Sequence, residues 1–155
     1  MTMQIARELG VPEADVVAAI PGGRAIELDV ARWEELVRSF EALGKVHVIC
    51  SNGAATLEAH GQFGKFSTWG GFFNVQTPSL DMHIRFQRLG RIFAVRKPGH
   101  FDGAETLSFQ FFDAEGNSAF KVFLTFGGRA PTPEEIARFD KLNARFRLRK
   151  QKNSH

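Results

Sequence analysis

At Lys45 the spacing of apolar residues changes from the helical period of about 3.6 to the strand period of 2, and it keeps that period as far as residue 126. Val46, Val48 and Cys50 alternate with His47, Ile49 and Ser51 before Asn52-Gly53, a dipeptide that accepts the left-handed backbone of a tight hairpin. Further strand patterns fit residues 55–60, 62–67, 71–76, 81–87, 90–97, 104–113 and 118–126. The last two are joined by Asp113-Ala114-Glu115-Gly116-Asn117, a loop length usual for antiparallel neighbours. So many short strands in succession must curl to bury one face. The expectation is a strongly bent antiparallel sheet or split barrel over residues 45–126. Cys50, in phase with Val46 and Val48, is expected as buried filler.

The flanks read differently. Residues 1–43 form a helical part: Ile5, Leu9, Val16, Val17 and Ile20 supply apolar faces, with Pro12 near a helix start and Pro21-Gly22-Gly23 as a stop. Asp29 is placed to cap the next helix, in which Trp33, Leu36, Val37, Phe40 and Leu43 recur at spacings of three and four. A C-terminal helix is expected over 132–149. Thr132 is its cap, Pro133 its first residue and Glu135 the reciprocal capping partner, while Ile136, Phe139, Leu142 and Phe146 make one apolar face. The class is therefore α+β, and 155 residues without a linker or repeat suit one domain over 1–155.

Composition narrows the chemistry. Hydrophobic residues make up 43% and charged residues 24%, the balance of a folded globular chain. No apolar run reaches the roughly 20 residues of a membrane helix, and the N-terminus lacks a basic-then-apolar leader pattern, so no membrane insertion and a cytoplasmic location are expected. One cysteine permits no intramolecular disulfide and no thiolate cluster. The formal charge of +3 is a property of the tail, since residues 129–155 hold eight Lys or Arg against three acids. Neither H-E-x-x-H, G-x-S-x-G nor a phosphate-binding loop occurs, which argues against hydrolysis and phosphoryl transfer.

Residues 69–100 collect the one suggestive constellation. In the pattern at 81–87, Met82, Ile84 and Phe86 share one face and Asp81, His83, Arg85 and Gln87 the other, with His83 and Arg85 about 7 Å apart along the strand. Phe72, Phe73 and Trp69 adjoin Gly70-Gly71 and are available as an aromatic wall. Arg96, Lys97 and His100 lie in or beside the turn R-K-P-G-H. A flat apolar macrocycle with a metal centre and a carboxylate rim asks for this set: rings for its face, an imidazole for its iron, and guanidinium or ammonium for its edge. His47, His60 and His155 are not assigned as ligands.

Gly71-Phe72-Phe73-Asn74 followed by Met82-His83-Ile84-Arg85-Phe86 resembles the ChuX/HutX type of haem-utilisation proteins, over residues 34–126. The resemblance implies a split-barrel homodimer. Each chain would match about half of larger tandem-repeat haem proteins and would take haem as cargo and pass it to an acceptor protein. It implies His83 as axial ligand of the haem iron, with Arg85, Arg96, Lys97, His100, Phe72 and Phe73 as further haem-binding residues. With no tyrosine in the chain, a tyrosinate ligand is ruled out.

Two other classes compete with carriage. I-A-R-E-L-G-V-P-E-A-D-V-V-A-A-I has the rhythm of a helix-turn-helix, but Glu13 and Asp15 open its second helix and no Lys or Arg follows through Ile20, so a nucleic-acid partner is not expected. A haem-degrading or flavin-binding split-barrel enzyme is the other alternative.

Overall fold

The computed structural model describes residues 1–98, 104–125 and 128–149. Its helices are α1 (Thr2–Leu9), α2 (Glu13–Ala18), α3 (Trp33–Ser39) and α4 (Pro133–Phe146). Its strands are β1 (Ala25–Leu28), β2 (Lys45–Ser51), β3 (Thr56–Gln62), β4 (Phe66–Trp69), β5 (Phe72–Thr77), β6 (Leu80–Ile84), β7 (Leu89–Pro98), β8 (Glu105–Asp113) and β9 (Ser118–Thr125). They form two antiparallel sheets, one of six strands in the order β1-β7-β8-β9-β2-β3 and one of three in the order β4-β5-β6. The α+β class, the N-terminal helices and the C-terminal helix agree with the sequence reading.

The six-stranded sheet is covered on both faces at its middle strands β7 and β8. From Leu107 to Phe112 every residue of β8 is buried, because one set of side chains enters the main core while the other meets α2. Leu107, Phe109 and Phe111 are wholly buried with Leu36, Val37 and Phe40 of the α3 stripe and with Phe139 and Phe146 of α4. On the reverse face Ala14 and Val17 of α2 pack on Phe93, Val95 and Phe112. α2 thus spends its apolar side on the sheet and leaves Asp15 and Ala18 exposed, a side without the Lys or Arg that a phosphate backbone would ask for.

Local chemistry explains the ends of several elements. Asp29 Oδ1 accepts from Ala31 N at 3.0 Å and opens a 3-10 turn (Val30–Arg32) ahead of α3. Thr132 and Glu135 form the reciprocal capping bonds, with Glu135 N donating to Thr132 Oγ1 and Thr132 N to Glu135 Oε1. The Arg129 guanidinium adds a fork onto the same carboxylate and holds Glu135 well below its ordinary range, at about 2. Beyond α4, Leu148 N donates to Glu27 O, and Asp29 N donates to Phe146 O, so the chain end is tied to β1.

Four sequence expectations change. β1 lies inside the stretch read as helical: it is only four residues long, too short to show a period, and it forms because β7 offers it a full edge from Ile92 to Val95. The strand read over 62–67 begins at Phe66, after Lys65 takes a left-handed φ of 45°. The strand read over 81–87 stops at Ile84, and a 3-10 turn at Phe86–Arg88 lets Phe86 stack on Trp33, with ring centroids 5.0 Å apart. Cys50 is exposed, because β2 has run past the edge of the core by that point, and its Sγ donates to Ala119 O.

Candidate functional site

Two adjacent glycines set up the sheet of β4, β5 and β6. Gly70 and Gly71 both have positive φ, 59° and 83°, the backbone of a two-residue hairpin turn whose twist matches its strands. That turn pins the register Trp69↔Phe72, Thr68↔Phe73 and Ser67↔Asn74, and β6 continues it with Asn74↔His83 and Phe73↔Ile84. Side chains then alternate across the sheet. Phe66, Phe73, Val75, Met82 and Ile84 turn inward, where Phe73 is wholly buried with its ring 5.2 Å from Trp33 and 5.4 Å from Phe66. Ser67, Trp69, Phe72, Asn74, Asp81 and His83 turn outward.

On the outward face an imidazole, a phenyl ring and a guanidinium meet. The Phe72 ring lies edge-on to His83, centroids 6.4 Å apart, and carries the Arg85 guanidinium 4.9 Å above its centroid. Arg85 stands just past the end of β6 yet keeps the outward side, as the alternation predicts. Among the described residues no carboxylate lies within ion-pair range of Arg85, so its fork is open to a carboxylate from a ligand. Trp69, 78% exposed, extends the aromatic surface.

His83 has two partners of different kinds. Nδ1 lies 2.7 Å from Asn74 Oδ1, and Asn74 Nδ2 in turn donates to Ser67 Oγ at 3.2 Å, a chain of polar groups running straight across β6, β5 and β4. Nε2 lies 3.3 Å from Asp81 Oδ1, with both side chains more than half exposed. The sequence reading put Asp81 on the face of His83 without a role, left Asn74 unassigned and passed over Ser67. An asparagine in mid-strand is itself a signal, since its amide gains nothing from a pleated surface unless a neighbour satisfies it.

The other expected residues fall elsewhere. Phe73 belongs to the core and not to an outward wall, because it is out of phase with Phe72 by one residue. Arg96 and Lys97 lie on β7 of the other sheet. Arg96 is held by Glu105 through two bonds of 2.8 and 2.9 Å, which raise the guanidinium and lower the carboxyl. Burial, with Lys121 nearby, pushes Lys97 down. His100 lies outside the described residues. His47 and His60 face each other across β2 and β3 with centroids 4.1 Å apart, and burial, followed by the nearness of the second ring, pushes His47 down. Among the described residues no cluster of three or more His, Cys, Asp or Glu could hold a bare metal ion, and no helix is long and apolar enough to cross a membrane. A cleft of about 880 Å³ between α1 and the turns after β2 and β8 is lined by Met3, Val11, Cys50 and Leu57 among others, and by none of the expected site residues.

The family model described as haem utilisation ChuX/HutX matches residues 26–142. The chain belongs to this family. HutX of Vibrio cholerae, named an intracellular haem transport protein, is 30% identical over 138 residues, covering 87% of this chain and 70% of HutX. The solved structure of ChuX, named a haem-binding protein, superposes with a TM-score of 0.81 at 21% identity over 94% of this chain and 90% of ChuX, which shows the shared fold. The Escherichia coli O157:H7 haem-degrading enzyme ChuS is 25% identical with a TM-score of 0.80 over 96% of this chain, which spans only 42% of ChuS. All the outward residues of β4–β6 lie inside the matched segment, whereas α1 and α2 lie ahead of it.

Proposed function

We propose that the protein binds haem on the outward face of β4–β6 and carries it to an acceptor protein. The observation that carries this reading is the convergence there of His83, Phe72 and an Arg85 guanidinium without a carboxylate partner. Each answers one part of the cargo: the imidazole Nε2 would meet the iron, the Phe72 and Trp69 rings the flat apolar face, and Arg85 a propionate. Phe73 is left out because it is core, and Arg96 because Glu105 already holds it. Lys97 sits on the other sheet. His100 remains a proposed second contact.

The names of HutX and ChuX support haem as the cargo, and membership of their family supports transport as its fate. With this reading go a cytoplasmic location and a homodimer in which the two sheets of each copy act as a split barrel. Among the described residues the outer edge of β3 pairs with no further strand of the larger sheet and is a position at which a second copy would be useful, whereas β1 is tied to Phe146 and Leu148. The likeness to ChuS favours a second reading, haem degradation. Purified protein titrated with haemin should give a saturable, shifted Soret band, and the complex incubated with a reductant should return its haem intact. A titration matching a non-binding control protein contradicts carriage; release of iron or a linear tetrapyrrole above a protein-free control replaces it with degradation.

A further inference from the structure

We infer that Asn74 is a positioning residue, which presents Nε2 of His83 to the iron by accepting the Nδ1–H of the same ring. The inference rests on haem ligation by His83 as proposed above. A neutral imidazole has one proton, so when Nε2 coordinates a metal the proton must sit on Nδ1. That nitrogen already faces Asn74 Oδ1 at 2.7 Å.

The two partners of the ring differ in how firmly they are held, and the difference decides which nitrogen is free. Asn74 is 8% exposed, sits opposite His83 in the β5–β6 register, and has its amide oriented by donation to Ser67 Oγ. Its orientation is set by strand pairing on both sides, since Ser67 is its β4 neighbour in the same row. Asp81, whose side chain is 69% exposed, meets Nε2 at the longer distance of 3.3 Å. An exposed carboxylate at that range swings away at little cost, whereas a buried amide between two strands does not. Nδ1 is therefore occupied and Nε2 is the nitrogen that a ligand can win. Ring-nitrogen partners of this kind typically change metal affinity by about 10- to 100-fold when removed.

The test compares wild type, Asn74→Asp and Asn74→Ala, each loaded with haemin and then reduced, by the iron–histidine stretching band in resonance Raman spectra. A stronger acceptor at Nδ1–H makes the ring a better donor to iron. The band should therefore rise in Asn74→Asp and fall in Asn74→Ala, and haemin affinity should fall about 10-fold in Asn74→Ala. Asn74→Asp keeps the shape of the side chain and decides the matter alone if the alanine variant fails to fold. An unmoved band in Asn74→Asp overturns the role of Asn74 provided that His83→Ala abolishes the band. A band that survives His83→Ala overturns the ligand assignment itself, and this inference with it.

Discussion

The two sheets differ in what their sequences can afford to be. The six-stranded sheet is buried on both faces at its middle strands β7 and β8, so β8 carries Phe109, Phe111 and Phe112 together with buried Ser108 and Gln110 in an unbroken covered run. The three-stranded sheet has only one face in the core, and β5 and β6 alternate strictly between buried Phe73, Val75 and Ile84 and outward Phe72, Asn74, Asp81 and His83. A sheet with one face free is where a chain can place ligands without weakening its core. Stability and binding should therefore respond to different residues.

The sharpest way to break that separation is to hollow the covered sheet. Phe109→Ala should cost about 4 kcal/mol in denaturant unfolding, through lost burial and the cavity left behind, while the folded fraction still binds haemin with wild-type affinity. A loss of affinity without loss of stability would show that the two sheets are not independent in this sense. On the free face, Phe72→Ala should weaken haemin binding about 5-fold, since an aromatic contact of this kind contributes on the order of 1 kcal/mol, and should leave the unfolding midpoint nearly in place. A variant that unfolds earlier but binds normally would make Phe72 a packing residue.

Smaller effects sharpen the same contrast. Glu135→Gln removes the reciprocal cap of α4 and should cost about 1 kcal/mol near neutral pH. Because the folded carboxyl titrates at about 2 and an unfolded glutamate near 4.3, its contribution is complete above that unfolded value and is lost as pH falls through about 2. Unfolding curves of wild type and variant should hence keep a constant separation above about pH 5 and converge in strong acid, and haemin affinity at neutral pH should not change. Trp69→Ala, at an exposed position, should shift stability by less than about 0.5 kcal/mol and reduce haemin affinity by a few-fold, measured by quenching of the remaining tryptophan, Trp33. An unchanged affinity would confine the aromatic contact to Phe72.

How much of this was legible depended on which face a residue occupies. The alternation from Asp81 to Phe86 was readable because one side is apolar, and it placed His83 and Arg85 together although the strand ends between them. The same rule separates Phe72 from Phe73, yet two adjacent phenylalanines look alike in a sequence, and only the register set by Gly70-Gly71 shows which one is core. Arg96 and Lys97 appeared close to His83 in the chain because sequence proximity carries no information about which sheet a strand joins. Asn74 was invisible for a different reason: its meaning comes from two cross-strand neighbours, Ser67 and His83, that lie seven and nine residues away. β1 escaped because a four-residue strand is recruited by its neighbour's edge and has no pattern of its own.

The central claim is that haem is held through His83 on the open face of β4–β6. Equilibrium titration with haemin, followed at the Soret band for wild type, His83→Ala and His60→Ala, tests it most directly. The account predicts saturable binding by wild type, the same affinity for His60→Ala, and a loss in His83→Ala larger than the roughly 10-fold expected for an outer-sphere partner. Undiminished binding by His83→Ala, with the Soret position unchanged, would contradict it.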